Sequence, residues 1–285
     1  MKTDKSTQSK GKSKIRIGSI LMRLSVFIAA SITVIALLFI IGYILINGIP
    51  HLKPSLFARE YTSENVSLVP ALINTLIVVF FTLLIAVPLG VGAAIYLVEY
   101  SNNKGKLATI ARTTAETLSG IPSIVFGLFG MLMFVEFFGW GYSLLAGIFT
   151  LSILILPLIM RTAEEALKAV PVPYREGSFA LGAGKLRTIF KVVLPAAKPG
   201  IISGIILAIG RIVGETAALI YTSGIVANVP KNLLGSGRTL ALHMFALSSE
   251  ALHMNEASAT AVVLIVLVLF INWLSKYATK DRKVK

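Results

Sequence analysis

A chain of 285 residues that is 55% hydrophobic and only 14% charged, with mean hydropathy +0.83, is too apolar for a soluble domain, in which about a quarter of residues carry charge. It contains no cysteine, which excludes disulfides and thiolate metal sites. The net charge of +14 is dispersed in short basic segments between apolar runs, which argues against a nucleic-acid-binding face and for a membrane protein oriented by its loops.

Taken in chain order, residues 1–20 are a basic tail and the apolar run behind them spans the membrane. That run is roughly 25 residues long with no small-residue cleavage site after it, so a retained span is expected and not a signal peptide. Six membrane-spanning helices are predicted at 21–46, 70–97, 118–138, 143–161, 199–221 and 260–276. Helices are expected because backbone groups in lipid must be satisfied within the segment, and nothing alternates like a barrel strand. The first helix and an external loop occupy 21–64, a core of the remaining five helices occupies 65–276, and a short tail follows at 277–285. Twenty lysines and arginines fall in the segments on one side of this arrangement and four on the other. The bias places both termini in the cytoplasm and makes 162–198 a long cytoplasmic loop. The fold class expected is an all-α integral membrane protein of the cell membrane, multi-pass in the bilayer.

That cytoplasmic loop carries the pattern E-G-S-x3-G-x9-V-x-L-P, set by Glu176, Gly177, Ser178, Gly182, Val192, Leu194 and Pro195. Gly182 and Gly184 permit a sharp break between two short helices, and Pro195 and Pro199 are expected to end the second one. Phe179, Leu181, Leu186, Ile189, Phe190 and Val193 supply an apolar face that can insert into a groove on another protein. An amphipathic helix resting on the membrane would share the composition but not the fixed Gly and Leu-Pro spacing. Gly177 and Gly182 mimic the start of a phosphate-binding P-loop, yet Ala183 follows Gly182 and no strand precedes it, so that motif is absent.

Two charges lie inside the fifth predicted span. Arg211 falls about 18 Å from Pro199 along a helix, near mid-bilayer, where a charge needs a cavity or a partner. Glu215 follows four positions later, so the two are expected to pair on one face. The pair is either a structural ion pair or a way-station at which the Arg211 fork receives an oxyanion. Arg161, at the cytoplasmic end of the fourth span, is either a second anion contact or a snorkelling anchor. Glu164 and Glu165 are expected to act as helix N-terminal charges. The three histidines, His51, His243 and His253, lack metal-ligand spacing.

The loop pattern resembles the EAA loop of ABC-importer permeases, with Gly177 and Ser178 at the family's two alanines and Val192 at its isoleucine. The segment 121–128, IPSIVFGL, resembles the PSIVFG signature of phosphate-importer permeases, and Arg211-x2-Gly-Glu-Thr-Ala resembles their R-x2-GETA motif. With Thr162-Ala-Glu-Glu-Ala-Leu before the loop, the resemblance is to the PstA type and covers the chain from about residue 65. It implies a type I ABC-importer permease fold and import of inorganic phosphate by alternating access. It also implies partners: a second, PstC-like permease, a PstB-like ATPase dimer docked on residues 176–195, and an external PstS-like phosphate-binding protein. The chain would then hold no cofactor and catalyse no bond change itself. From the residues alone, another oxyanion such as sulfate or phosphonate stays open, as does a channel or carrier without an ATPase.

Overall fold

The computed structural model describes residues 17–101, 105–249 and 253–280, with side chains for 21–101, 105–249 and 253–274. The basic tails therefore lie largely outside the described residues. Residues 1–46 and 47–285 form two units. The first consists of α1 (Ile17–Gly48), a 32-residue helix without an internal proline, exposed over nearly its whole length. Such an apolar surface is compatible with lipid or with another membrane helix.

The second unit is built on three long helices: α2 (Val69–Ile95), α5 (Leu144–Lys168) and α8 (Leu194–Gly214). Lipid tails are as apolar as leucine, so these helices gain little from hiding apolar surface and depend on close packing instead. Small residues provide it. Ala86, Gly90 and Ala94 recur every fourth position on the buried face of α2, with Gly90 against Ile159 of α5. On α8, Gly200 and Gly204 likewise bring the backbone onto Ala166 and Thr162. Leu151, Ile155, Ile159, Ala208 and Ile212 fill the space between.

Among the described residues, five helices are long and apolar enough to cross a membrane, or six if one bent pair is a single span. The bent pair corrects the third predicted span. Its first residues belong to α3 (Lys106–Ser119), an amphipathic helix, and the chain then turns by 102° into α4 (Ser123–Gly130). Pro122 causes the break: it disfavours helix at Ile121 and cannot donate to a continuing ladder. The eight residues of α4 and a seven-residue π stretch (Met131–Phe137) reach about 22 Å, short of a full bilayer core.

The fifth predicted span is also corrected, at both ends. The short helix α7 (Lys185–Thr188) runs through a π turn (Ile189–Val193) straight into α8, so Pro195 and Pro199 do not end it. Pro195 falls in the first turn of α8, just after the wider π register. At the far end α8 stops at Gly214, not 221, and only a one-turn helix, α9 (Ala217–Ile220), follows. Two further helices, α10 (Leu240–Ser249) and α11 (Met254–Lys280), complete the unit, with α11 beginning six residues before the predicted sixth span.

Candidate docking surface and transport pathway

The loop at 162–198 is almost wholly helical. α6 (Val172–Ala180) begins behind Pro171 with Pro173 in its first turn, where a missing N–H costs nothing. It ends because Gly182 takes φ +80°, a left-handed conformation in which any side chain is strained. The Gly182 N–H donates to Phe179 O and the Ala183 N–H to Ser178 O, which closes the turn. The Ser178 and Thr188 hydroxyls meet at 2.9 Å and tie α6 to α7.

The apolar face expected of this loop divides in two. Ile189 and Val193 are buried inward, whereas Phe179, Leu186 and Phe190 are exposed and Leu181 is 90% exposed. A groove of about 590 Å³, lined by Tyr174, Gly177, Ser178, Gly182, Arg187 and Val192 among others, opens beside them. Glu176 is exposed on α6, Leu194 is half-buried and Pro195 exposed. Gly177, Ser178, Gly182 and Val192 thus share one groove, whereas Leu194 and Pro195 line a second one with Val87, Val91 and Ile95 of α2.

Its anchor was invisible in the sequence except as a positive charge. Arg175, directly before Glu176, donates through Nε (3.1 Å) and Nη2 (2.9 Å) to Glu99 Oε1 at the end of the α2 π turn. Its Nη1 and Nη2 also reach Val170 O (2.8 Å) and Leu167 O (3.0 Å), carbonyls at the C-terminal end of α5. One side chain therefore clamps α6 to two core helices. Lys185 Nζ stands 4.5 Å from the Tyr100 ring centroid and reinforces the same corner.

A second charged cluster sits where α3 meets α5. Glu164 is buried and accepts from Arg112 Nε at 2.8 Å and Lys168 Nζ at 2.6 Å. Arg161 lies 3.5 Å from Glu165 one turn along, both well exposed, beside a cavity of about 180 Å³. Glu164 and Glu165 occupy the C-terminal half of α5, so the expectation of helix N-terminal charges is wrong. The predicted span ended at 161, whereas α5 runs on to Lys168 and so carries both glutamates near its C-terminal end.

The expected pairing of Arg211 with Glu215 also fails. Glu215 is extended (φ −74°, ψ 127°), so the helical offset that would align the two side chains is lost. Its carboxylate is buried and Oε1 accepts from the Ala218 N–H at 3.2 Å, capping α9. Arg211 is exposed, and the spaces over Gly210 and Gly214 beside it are open. It stands one turn before the helix break, on a face that no other described helix covers.

The two signature segments, far apart in sequence, touch. A Cβ on Gly127 in α4 would lie 2.9 Å from Ala218 Cα and 3.1 Å from Ala217 O, so only glycine admits the α9 backbone there. IPSIVFGL and GETA therefore form one packed junction.

Comparison with known proteins identifies the family. Residues 86–284 match the family described as binding-protein-dependent transport system inner membrane component. The probable ABC transporter permease protein YqgI of Bacillus subtilis is 34% identical over 88% of this chain and 91% of its own. The phosphate transport system permease protein PstA 2 of Mycobacterium bovis is 34% identical over 81% of this chain and 79% of its own. Among solved structures, the fold is similar to the MetNI methionine ABC transporter (TM-score 0.59, 20% identity, 84% of this chain and 96% of that one). It is also similar to a bacterial alginate ABC transporter (TM-score 0.63, 16% identity, 93% and 99%). The chain belongs to the binding-protein-dependent inner-membrane components of ABC transporters and is a permease of the PstA type.

Proposed function

We propose that this permease is the PstA-like subunit of an ATP-driven importer of inorganic phosphate, lodged in the cell membrane with both termini in the cytoplasm. The observation that carries the reading is the junction of 121–128 with the segment 211–218, which leaves Arg211 exposed beside a helix break. A guanidinium in that position offers forked donors to a tetrahedral oxyanion. Glu215, spent on capping α9, leaves that charge uncancelled. The similarity to a PstA-named relative supports phosphate as the cargo.

ATP hydrolysis belongs to a separate PstB-like dimer, which docks on the projecting apolar groups of α6 and α7 around Glu176, Gly182 and Pro195. Motion of α6 passes through Arg175 into α2 and α5 and alternates access to Arg211. A PstC-like permease completes the pathway, and a PstS-like protein delivers phosphate from outside. Arg161, paired with Glu165, meets the anion as it leaves. The test is uptake of labelled phosphate at micromolar concentration in cells lacking the gene, restored with wild type or Arg211→Ala. Wild type should restore uptake that excess phosphate, but not sulfate, competes, and Arg211→Ala should not. Recovery of sulfate or phosphonate uptake instead would overturn the cargo; full activity of Arg211→Ala would overturn the site.

A further inference from the structure

On the end of the fold opposite the docking helices, the segment between α9 and α10 returns to the first turns of α2. It is firmly held: the Gly237 N–H donates to Ser223 O and the Arg238 N–H to Val226 O. Asn74 Nδ2 on α2 donates to both Arg238 O and Asn228 O at 3.2 Å, and the Leu240 N–H donates to Thr75 Oγ1 at 2.8 Å. α10 starts here, with its N-terminal end beside Arg238 and Thr239.

Several buried polar groups at this point lack partners. Arg238 is 6% exposed, yet its Nε and Nη2 make no hydrogen bond, and no carboxylate among the described residues pairs with it. The Thr239 hydroxyl and Asn74 Oδ1 are likewise unpartnered, and the fully buried His243 ring has only the Val66 backbone beside it as a polar partner. Arg238 and His243 share one aromatic neighbour. The guanidinium carbon stands 4.8 Å from the Tyr61 ring centroid, and the His243 ring meets Tyr61 edge-on at 6.2 Å. The Tyr61 face attracts the cation but offers it no hydrogen bonds.

A buried guanidinium without a counter-charge is among the costliest arrangements in a protein, and a neutral water does not offset it. What would offset it is a negative group small enough to reach a site that is more than nine-tenths closed. The donors present define its shape. Arg238 contributes adjacent Nε–H and Nη2–H groups and Thr239 a hydroxyl, with the positive end of α10 behind them, while the single N–H of neutral His243 faces the Val66 backbone. Burial and the neighbouring Arg238 push the His243 pKa down to about 3, so one ring nitrogen also stays an acceptor. Together with Asn74 Oδ1 it can accept a hydrogen bond from the O–H of a partly protonated anion.

We propose that Arg238, Thr239 and His243 bind a small tetrahedral oxyanion, at a site separate from Arg211 and independent of the transport reading above. The site would load from the side of the membrane opposite the docking helices.

The test uses the full-length chain in a maltoside detergent free of phosphate groups, carrying Arg211→Ala so that the pathway residue does not contribute. Equilibrium dialysis against labelled inorganic phosphate should give one saturable site. Arg238→Gln should weaken it at least about a hundredfold, and Thr239→Val, which exchanges a hydroxyl for a methyl at constant volume, about tenfold. If Arg238→Gln fails to purify as a single folded species, Thr239→Val decides. Undiminished binding in either folded variant, or no saturable binding in the Arg211→Ala chain, overturns the proposal. Binding only of lipids with phosphate headgroups overturns it as well. Equal stoichiometry with and without Arg211 would count against the pathway reading alone.

Discussion

Replacing Arg175 by alanine should loosen the docking surface more than changing the motif residues that follow it. The side chain makes four hydrogen bonds, two of them to Glu99, and the two charged groups are only 17% and 10% exposed. Breaking a buried pair from one side costs about 3–5 kcal/mol because the remaining charge is stranded; the residual exposure here argues for about 3 kcal/mol. Arg175→Lys keeps the charge but not the fork, and should lose about half of that. Glu99→Ala in the Arg175→Ala background removes the stranded carboxylate, so the double variant should be less destabilised than the sum by about 2 kcal/mol. Chemical denaturation of the purified chain measures this cycle. If α6 transmits the ATPase stroke as proposed, the same variant in the assembled transporter should hydrolyse ATP with fewer molecules moved per cycle. A cycle additive to within about 0.5 kcal/mol, or wild-type coupling in Arg175→Ala, would refute the clamp.

Gly182→Ala forces a side chain into φ +80° and should cost about 1–2 kcal/mol, with Gly182→Asn costing less because asparagine tolerates that region; denaturation midpoints of the two variants check the order. Glu215→Gln should retain the α9 cap, since an amide oxygen accepts as a carboxylate does, while Glu215→Ala should lose about 1 kcal/mol. Equal losses in thermal stability for the two would restore the ion pair with Arg211 that the extended backbone rules out. For His243, the folded pKa lies near 3 and the unfolded one near 6.5, so the unfolded chain binds more protons between them. In phosphate-free buffer, stability should be complete above pH 6.5 and fall as the pH drops towards 3, by up to about 1.4 kcal/mol per pH unit, a slope that His243→Phe should flatten in denaturation at several pH values.

Hydropathy made the existence of the helices legible because lipid demands long apolar runs, and it located α1 and α2 to within a few residues, while α5 and α11 extend beyond their predicted spans. It could not see breaks. The run at 118–138 is apolar on both sides of Pro122, and the run at 199–221 is apolar through Gly214, so composition fused what the backbone separates. The reverse error occurred at Pro195, where a π turn absorbs the proline and the helix continues. The turn between α6 and α7 was readable because the spacing places Gly182 and Gly184 between two amphipathic stretches, and Gly182 takes the left-handed conformation there. Arg175 and Arg238 were not, because their roles depend on partners on distant elements: Glu99 for the first, and Tyr61, Asn74 and His243 for the second. The same limit hid the meeting of Gly127 with Ala218, which no spacing in the chain encodes.

The two breaks that hydropathy missed are not independent. Irregular backbone is tolerated at membrane depth only where protein or a polar cavity satisfies its groups. At 120–122 the freed N–H groups fold back, Gly120 to Thr117 O and Ile121 to Leu118 O; at 215 the Glu215 N–H turns back to Ile212 O and its carboxylate takes the Ala218 N–H. Each break thus supplies its own capping, and α4 and α9, the helices that leave them, are the two that pack through Gly127 and Ala218. A single continuous helix in either place would carry its segment past the other and abolish that contact. The broken pair instead fixes a junction one turn beyond Arg211, where a short α4 and an unwound Glu215 keep the neighbouring face of α8 clear. A pair of substitutions that straightened α8 through 215, for instance Gly214→Ala with Glu215→Ala, should therefore cover or displace Arg211 without altering a charged donor of the proposed pathway. Accessibility of a cysteine placed at 211 to a charged thiol reagent, compared with and without the straightening pair, reads this directly. A change of less than about twofold in labelling rate would mean that the breaks are incidental to the pathway.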